Sequence, residues 1–153
     1  MVNEIKILNY KIYFKKDEEI KIILKNNYQG YYLFVNVNTL VESKKNILLS
    51  ESLNNSRANF PDGFPLALIS RLKGVKNARR IAGPDFTLEL IKLLEKENKN
   101  CAFYGGNEEQ NKERIKKLKI LFPELKFISF AEKEEQKLIK NINKEKIYYL
   151  FSS

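Results

Sequence analysis

Asp62 is the residue whose type and position best suit acid–base chemistry. The sequence of 153 residues contains no histidine, which excludes a Ser-His-Asp triad, a Cys-His pair and a His-bearing zinc site. Proton transfer therefore falls to Asp, Glu, Lys or Tyr side chains. In Pro61-Asp62-Gly63, a carboxylate on a tight loop could accept a proton from a nucleophilic hydroxyl. An Asp-Gly pair also marks ordinary turns, so a purely structural role stays open.

A second candidate segment, Asn36-Val37-Asn38-Thr39, follows a run of aromatic and β-branched residues. Its amides and hydroxyl could hydrogen-bond a polar ligand at the edge of a sheet. The alternative is that Asn38 or Thr39 only caps the next helix.

Two further segments combine groups that suit phosphate. The run from Arg79 to Asp85 places two guanidinium groups before a glycine and a helix start, where forked donors and free amides favour the same anion. Gly105-Gly106-Asn107 lies between a strand and a helix, so a diphosphate could approach the backbone there. Each has a structural alternative: Asp85 or a neighbour caps one helix, and Asn107 caps the other together with Gln110.

Elements that position these residues can be predicted from the hydrophobic pattern. Period-two alternation near the amino terminus indicates a hairpin, and strands separated by amphipathic helices indicate parallel pairing. We predict strands at 4–8, 10–14, 31–37, 101–104, 125–130 and 146–151, and helices at 17–26, 40–53, 65–72, 84–96, 108–121 and 132–142. The predicted fold class is α/β: a Rossmann-like sandwich with a mostly parallel sheet, flanking helices and an N-terminal β-hairpin. Ligands then bind just after Val37, Tyr104, Phe130 and Phe151, at the carboxyl ends of the strands.

Composition favours one domain over residues 1–153, and two at most. Hydrophobic residues make up 43% of the chain, which suffices for a core without disulfides or metal. Cys101 is the single cysteine and lies among apolar residues, so we expect a reduced, packed thiol. The tyrosines at 28, 31 and 32 could stack on a base or sugar, although core packing suits their strand position better.

Charge points to anionic partners. The net charge is +9, and Arg71, Lys73, Lys76, Arg79 and Arg80 form a stretch without acids. No nucleic-acid-binding motif accompanies this stretch, so we expect no nucleic acid partner and instead peripheral contact with an anionic membrane. Neither a signal peptide nor a bilayer-spanning run is present, which favours a cytoplasmic location; a peripheral position at the inner face of the cytoplasmic membrane stays open.

The motifs together resemble the WecG/TagA/CpsF glycosyltransferases, family 26. The resemblance rests on their order: Asn36-Val37-Asn38, Pro61-Asp62-Gly63, Arg80-Ile81-Ala82-Gly83-Pro84-Asp85, Phe103-Tyr104-Gly105-Gly106 and Phe122-Pro123-Glu124-Leu125. It covers nearly the whole chain, from the N-terminal hairpin to Phe151.

This resemblance implies an inverting enzyme that needs neither metal nor cofactor. Such an enzyme moves an N-acetylhexosamine or related sugar from a UDP-sugar donor to a polyprenyl-diphosphate-linked acceptor, in teichoic acid, common antigen or capsule synthesis. Asp62 matches the proposed catalytic base of the family, which takes the proton from the acceptor's sugar hydroxyl. The substrate-binding positions implied by the match are Asn36, Asn38, Arg80, Asp85, Gly105 and Gly106.

Three departures from the family pattern accompany this match. Asn36 stands where Thr is usual, Pro61 where Ala is usual, and the chain ends at Ser152-Ser153 before a Gly-Leu-Gly-x-Pro-Lys-Gln-Glu segment that helps to hold the nucleotide. We therefore expect a shortened transferase that lacks that segment and the family's C-terminal appendage, with donor binding either weakened or supplied by a partner subunit. The alternative is a catalytically inactive relative that serves as a binding or assembly module. A homo-oligomer is compatible with both hypotheses.

Overall fold

The computed structural model describes residues 4–14, 16–26, 30–144 and 149–152. In chain order the elements are β1 Glu4–Ile7, β2 Tyr10–Tyr13, α1 Lys16–Asn26, β3 Tyr32–Val35, α2 Val37–Glu42, α3 Ile47–Asn55, β4 Ala58–Pro61, α4 Phe64–Leu72, α5 Gly83–Lys96, β5 Cys101–Tyr104, α6 Glu108–Leu121, β6 Phe127–Phe130, a 3₁₀ turn Glu132–Glu134, α7 Glu135–Lys144 and β7 Tyr149–Ser152. The chain divides into two compact units, Met1–Phe86 and Thr87–Ser153. Each unit contains its own sheet.

The sheet of the first unit has the strand order β1-β2-β4-β3. Strands β1 and β2 form an antiparallel hairpin whose turn places Leu8 and Asn9 at positive φ. Strand β4 runs parallel to both of its neighbours, β2 and β3. Their carboxyl ends therefore meet at one edge of the sheet, where ligands bind in folds of this type.

Aliphatic and aromatic side chains fill the first unit in two groups. Ile12, Val35, Leu40, Leu53 and Leu66 are among the fully buried members of one cluster. The second group surrounds Phe60 in β4, whose ring centroid lies 5.7 Å from that of Phe34 and 5.2 Å from that of Phe86. The central strand is therefore packed on both faces.

The sheet of the second unit has the order β6-β5-β7, and both pairings are parallel. Ala102 of β5, Phe130 of β6 and Leu138 of α7 form a buried cluster within it. The rings of Phe103 and Phe151 stack with centroids 5.1 Å apart. Helices connect the parallel strands, as the alternating pattern predicts. The predicted α/β class, the parallel pairing and the N-terminal hairpin are confirmed.

The helix predicted over 40–53 is wrong, because the chain forms two helices separated at residues 43–46. The hydroxyl of Ser43 donates to the carbonyl of Leu40 at 2.8 Å, which completes the end of α2. Asn46 then caps α3, since its Oδ1 accepts from the Leu49 amide at 3.1 Å. Two local polar side chains thus override a continuous apolar pattern.

Strand β4 is an element that the sequence pattern did not predict. Its four residues are all buried, yet they include Asn59 and end in Pro61. Polar residues and proline are depleted in central strands, so neither propensity nor alternation favoured a strand here.

Smaller differences concern the ends of elements. Strand β3 ends at Val35 because Val37 already belongs to α2, and the segment predicted as a helix over 132–142 begins as a 3₁₀ turn. Part of the strand predicted over 146–151 lies outside the described residues, and β7 begins at Tyr149. None of the helices in the described ranges combines the length and the apolar character needed to span a bilayer.

Candidate functional site at the strand ends

Asn36 and Asp62 lie side by side at the carboxyl edge of the first sheet. Val35 of β3 pairs with Pro61 of β4, and these two residues directly precede Asn36 and Asp62. The Asp62 amide donates to the Val35 carbonyl at 2.8 Å, which extends the ladder by one residue. A Cβ placed on Gly63 would lie 3.6 Å from Cβ of Asn36. The loop that carries the carboxylate therefore passes close to Asn36, and a side chain at position 63 would contact it.

Arg80 completes this edge by forming an ion pair with Asp62. Its Nε donates to Asp62 Oδ1 at 2.9 Å, with the side chains 59% and 28% exposed, respectively. The Ile81 amide donates to the Pro61 carbonyl at 2.7 Å, so the arginine-bearing loop is fastened to the end of β4. The carboxylate is thus oriented through one oxygen, while Oδ2 lies outside that hydrogen bond.

Asn36 also caps α2. Its Oδ1 accepts from the Thr39 amide at 2.9 Å, and the Thr39 hydroxyl lies 3.5 Å from the Asn36 amide, which forms a capping box. The expectation that Asn38 or Thr39 would be the cap is therefore wrong: Asn36 is the cap, and Thr39 only completes the box. Asn38 instead donates from Nδ2 to Glu42 Oε1 at 3.1 Å on the exposed surface of the same helix.

Asp85 lies in the first turn of α5 and is exposed. An acidic side chain there interacts favourably with the positive end of the helix dipole. Gly83 begins the same helix, and a Cβ at that position would lie 3.3 Å from the ring of Phe34. A side chain there would force the aromatic ring to shift, so the absence of Cβ allows the helix to start against β3.

In the second unit, the paired glycines form the turn between β5 and α6. Gly105 and Gly106 have φ of 112° and 66°, values that residues other than glycine rarely adopt. The Gly105 amide donates to the Phe130 carbonyl at 3.1 Å, and the Glu132 amide donates to the Gly106 carbonyl at 3.2 Å. Asn107 and Gln110 form the capping box that the structural alternative predicted.

Two side chains beside this turn were missed by the sequence analysis. Asn111 is buried and donates from Nδ2 to the Gly105 carbonyl at 3.1 Å. Arg114 donates to Asn111 Oδ1 at 3.2 Å, and its guanidinium carbon lies 5.4 Å from the centroid of the Phe103 ring. The available signal was their helical spacing from Asn107, which places both on the face of α6 that meets the strand.

The other strand ends carry local contacts. After β6, the Ala131 amide donates to Glu134 Oε2 at 2.9 Å, and Lys137 pairs with the other oxygen of that carboxylate. The Lys137 ammonium and the Ala131 amide together lower the pKa of Glu134. At the end of β5, the Tyr104 hydroxyl donates to the Glu132 carbonyl at 3.1 Å.

The predicted site residues thus fall into two groups. The first unit holds Asn36, Asn38, Asp62, Arg80 and Asp85, and the second holds Gly105 and Gly106. The roles assigned to them, and their assembly into one site, stay predictions. Within the described part of the chain, no three His, Cys, Asp or Glu side chains gather as metal ligands would.

Three other residues singled out in the sequence have local packing or hydrogen-bond contacts. Cys101 is fully buried, and this burial raises the pKa of its thiol to about 12. Tyr32 stacks on Phe60, and its hydroxyl contacts Glu19 Oε2 at 3.4 Å. Tyr31 is partly exposed and donates to the Ser52 carbonyl at 2.9 Å, while residue 28 lies outside the described residues.

Comparison with known proteins gives a consistent result. The chain is 29% identical over 80 residues to an N-acetylglucosaminyldiphosphoundecaprenol N-acetyl-beta-D-mannosaminyltransferase of Bacillus subtilis (strain 168), covering 52% of this chain and 31% of that protein. It is 25% identical over 109 residues to the enzyme of the same name from Bacillus spizizenii (strain ATCC 23059 / NRRL B-14472 / W23), covering 71% of this chain and 42% of that protein. The matched region thus spans less than half of each relative. The model of the "Glycosyl transferase WecG/TagA/CpsF family" matches residues 5–153, and the chain therefore belongs to that family.

Proposed function

We propose that the chain takes part in transferring an N-acetylhexosamine or related sugar from a UDP-sugar to a polyprenyl-diphosphate-linked acceptor, with Asp62 as the general base. The single observation that carries this proposal is the β3–β4 edge, where Asn36, Asp62 and Arg80 converge. Because the sequence contains no histidine, a carboxylate is a natural candidate for the general base. The relatives' names describe transfer to a diphosphoundecaprenol-linked sugar, which supports the acceptor class.

The proposed reaction is a single displacement with inversion. The acceptor hydroxyl oxygen forms a bond to the anomeric carbon of the donor sugar, while its proton passes to the Asp62 carboxylate. The bond between the anomeric carbon and the β-phosphate oxygen breaks, and UDP leaves with the electron pair. In this scheme Arg80 holds Asp62 Oδ1, so that Oδ2 faces the hydroxyl; this assignment of the two oxygens is part of the proposal.

On the donor side, the proposal uses the turn at Gly105 and Gly106. A diphosphate could approach a backbone without side chains, and the guanidinium of Arg114 lies 3.9 Å from the position that a Cβ on Gly106 would take. Glu108 and Glu109 lie in the first turn of α6, where their charges oppose those of a phosphate. Arg114 is therefore a better candidate phosphate partner than the helix amides alone.

Asp62→Asn tests the central role of the carboxylate. The variant keeps the size and the hydrogen bond with Arg80 but removes the base, so we expect transfer to fall by about 10²–10⁴-fold. The assay follows sugar transfer from UDP-N-acetylmannosamine to N-acetylglucosaminyl-diphosphoundecaprenol. Asp17→Asn, an exposed carboxylate in the first turn of α1, is the matched control and should transfer sugar as the parent does. Equal rates for the parent and Asp62→Asn would remove Asp62 from the mechanism.

A second candidate function is a catalytically silent binding or assembly module. It is favoured by the observation that each predicted polar side chain of the β3–β4 edge already has a structural partner: Asn36 caps α2, Asn38 bonds Glu42 and Asp62 pairs with Arg80. The same assay with isothermal titration of UDP separates the two functions. Heat of UDP binding and measurable transfer support the transferase. The absence of both signals supports the silent module.

A further inference from the structure

Helix α4 exposes a stripe of large apolar side chains to solvent. Phe64, Leu68 and Leu72 are 65%, 42% and 81% exposed. Residues four apart are neighbours on one face of a helix, since each residue advances about 100° around the axis. These three side chains, the α4 stripe, therefore form a continuous apolar surface along the whole helix.

The opposite face of α4 is buried in the protein interior. Leu66, Ala67 and Ser70 are buried, and the Ser70 hydroxyl donates to the Leu66 carbonyl at 2.8 Å. A surface helix of a soluble protein normally carries polar residues on its outer side. Helix α4 departs from this pattern, which indicates that its outer side contacts something other than water.

Between Asp62 and Asp85, the segment that contains the stripe carries charge of one sign. Residues 63–84 contain five cations and no acid, namely Arg71, Lys73, Lys76, Arg79 and Arg80. Lys73 and Lys76 are exposed in the segment that follows the helix. Arg71 fastens that segment to α4, because its Nε donates to the Ala78 carbonyl at 2.8 Å. The cations are therefore held beside the apolar stripe.

We propose that the α4 stripe and the adjoining cations dock on an anionic lipid bilayer, with the stripe inserted at the level of the acyl chain boundary. An apolar face flanked by Lys and Arg is the pattern of helices that lie in the plane of a membrane surface. A second copy of the chain fits this surface less well. A two-fold interface would bring the same patch together with itself, and its cations would repel one another.

Docking in this way would orient the candidate base, a consequence that rests on the proposed function. Asp62 is separated from Phe64 by a single residue, so the carboxylate lies at the end of α4 that begins the stripe. A bilayer held against α4 would present the diphosphate and sugar of a lipid-linked acceptor to the same edge of the sheet. Arg80, at 2.9 Å from Asp62, connects the cationic segment to that edge.

Vesicle co-sedimentation tests the docking directly and needs no transfer activity. The parent is mixed with vesicles of phosphatidylcholine and phosphatidylglycerol, and with vesicles of phosphatidylcholine alone. We expect binding to the anionic vesicles only, and a decline as salt is raised. Replacing Leu68 and Leu72 together by Gln should lower the partition coefficient by about tenfold or more. The matched control replaces Ile47 and Leu48 of α3 by Gln; both are 75% exposed, and the neighbouring charges are of both signs.

A second pair of variants tests the cations. Lys73→Gln with Lys76→Gln should lower binding to anionic vesicles and flatten its salt dependence, while Lys44→Gln with Lys45→Gln should change both far less. Asp62→Asn should bind vesicles as the parent does, whatever its transfer rate, which separates failure of docking from failure of the proposed chemistry. Unchanged binding by the Leu68 and Leu72 variant would overturn the proposal. The proposal would also be overturned if this variant changed only the oligomeric state, measured by sedimentation without lipid. The stripe would then join two copies of the chain.

Discussion

Asn36 illustrates how one residue can serve the fold and a candidate site together. Its side-chain oxygen accepts from the Thr39 amide and hydroxyl at 2.9 and 3.1 Å, while its Cβ lies close to Gly63 in the loop that carries Asp62. The family resemblance associates Thr with this position, and Thr is also a good N-cap residue. Substitution can therefore separate the cap from any direct contact with substrate.

Asn36→Ala and Asn36→Thr are expected to differ in stability. The alanine variant loses the cap of α2 and should lower the free energy of unfolding by about 1 kcal/mol, while the threonine variant should stay within about 0.5 kcal/mol of the parent. Urea denaturation followed by circular dichroism measures both values. If Asn36 acts only as a cap, the threonine variant should also keep the transfer rate of the parent. Equal stability of all three proteins would contradict the capping role.

At the scale of elements, β4 is the strand that organises the first unit. It pairs with β2 on one side and β3 on the other, and it ends at Asp62. Buried Asn59 links it to its surroundings: Nδ2 donates to the carbonyls of Lys11 at 3.1 Å and Leu53 at 2.9 Å, and Oδ1 accepts from the Ser56 hydroxyl. A polar side chain in a central strand is tolerated because its donors and acceptor are satisfied.

Asn59→Ala should therefore destabilise the protein strongly. The substitution leaves the carbonyls of Lys11 and Leu53 without this donor and opens a small cavity, at an expected cost of about 2–3 kcal/mol in the free energy of unfolding. Urea denaturation with Asn54→Ala as control measures the effect, since Asn54 is exposed on α3 and its replacement should cost less than about 0.5 kcal/mol. Comparable midpoints for the two variants would show that Asn59 does not hold β4 in place.

At the scale of the whole molecule, the two units have separate sheets, and the second unit contains the single cysteine. Cys101 is fully buried at the start of the central strand β5. Burial disfavours the charged thiolate and raises the pKa of this thiol from 9.0 to about 12. The folded state therefore holds the thiol proton more firmly than the unfolded chain.

This difference predicts a pH dependence of stability. Between about pH 9 and 12 the folded state binds more protons than the unfolded chain, so the thiol's contribution is fully present below pH 9 and is lost as the pH rises through this window. The free energy of unfolding, measured at several pH values, should decline less steeply with rising pH for Cys101→Ala than for the parent.

The reactivity of the thiol provides a second test. At pH 8, a thiol reagent should modify the folded parent much more slowly than the urea-unfolded chain. Fast modification of the folded protein would contradict the buried thiol.

Much of the second unit could be predicted from local pattern. Strand β5 and helix α6 have the bounds that the sequence predicts, since apolar runs, helical periodicity and the Asn107–Gln110 cap all agree there. The first unit was harder because β4 contains Asn59 and Pro61, and because Ser43 and Asn46 interrupt an apolar pattern. At those positions hydrogen bonds between distant or neighbouring groups outweigh the propensity of the residues.

The amino-acid sequence by itself determined the α/β class, the parallel pairing, the buried thiol, the absence of imidazole chemistry and the family to which the chain belongs, because these follow from residue types and their spacing. Only the tertiary structure decided that β3 and β4 end together, that Asn36 is a cap, that Arg80 pairs with Asp62 and that the outer face of α4 is exposed. The physical reason is that strand register, ion pairs and solvent exposure depend on which distant segments pack against each other. A linear pattern records the apolar residues of α4 but not which of them the fold leaves in contact with solvent.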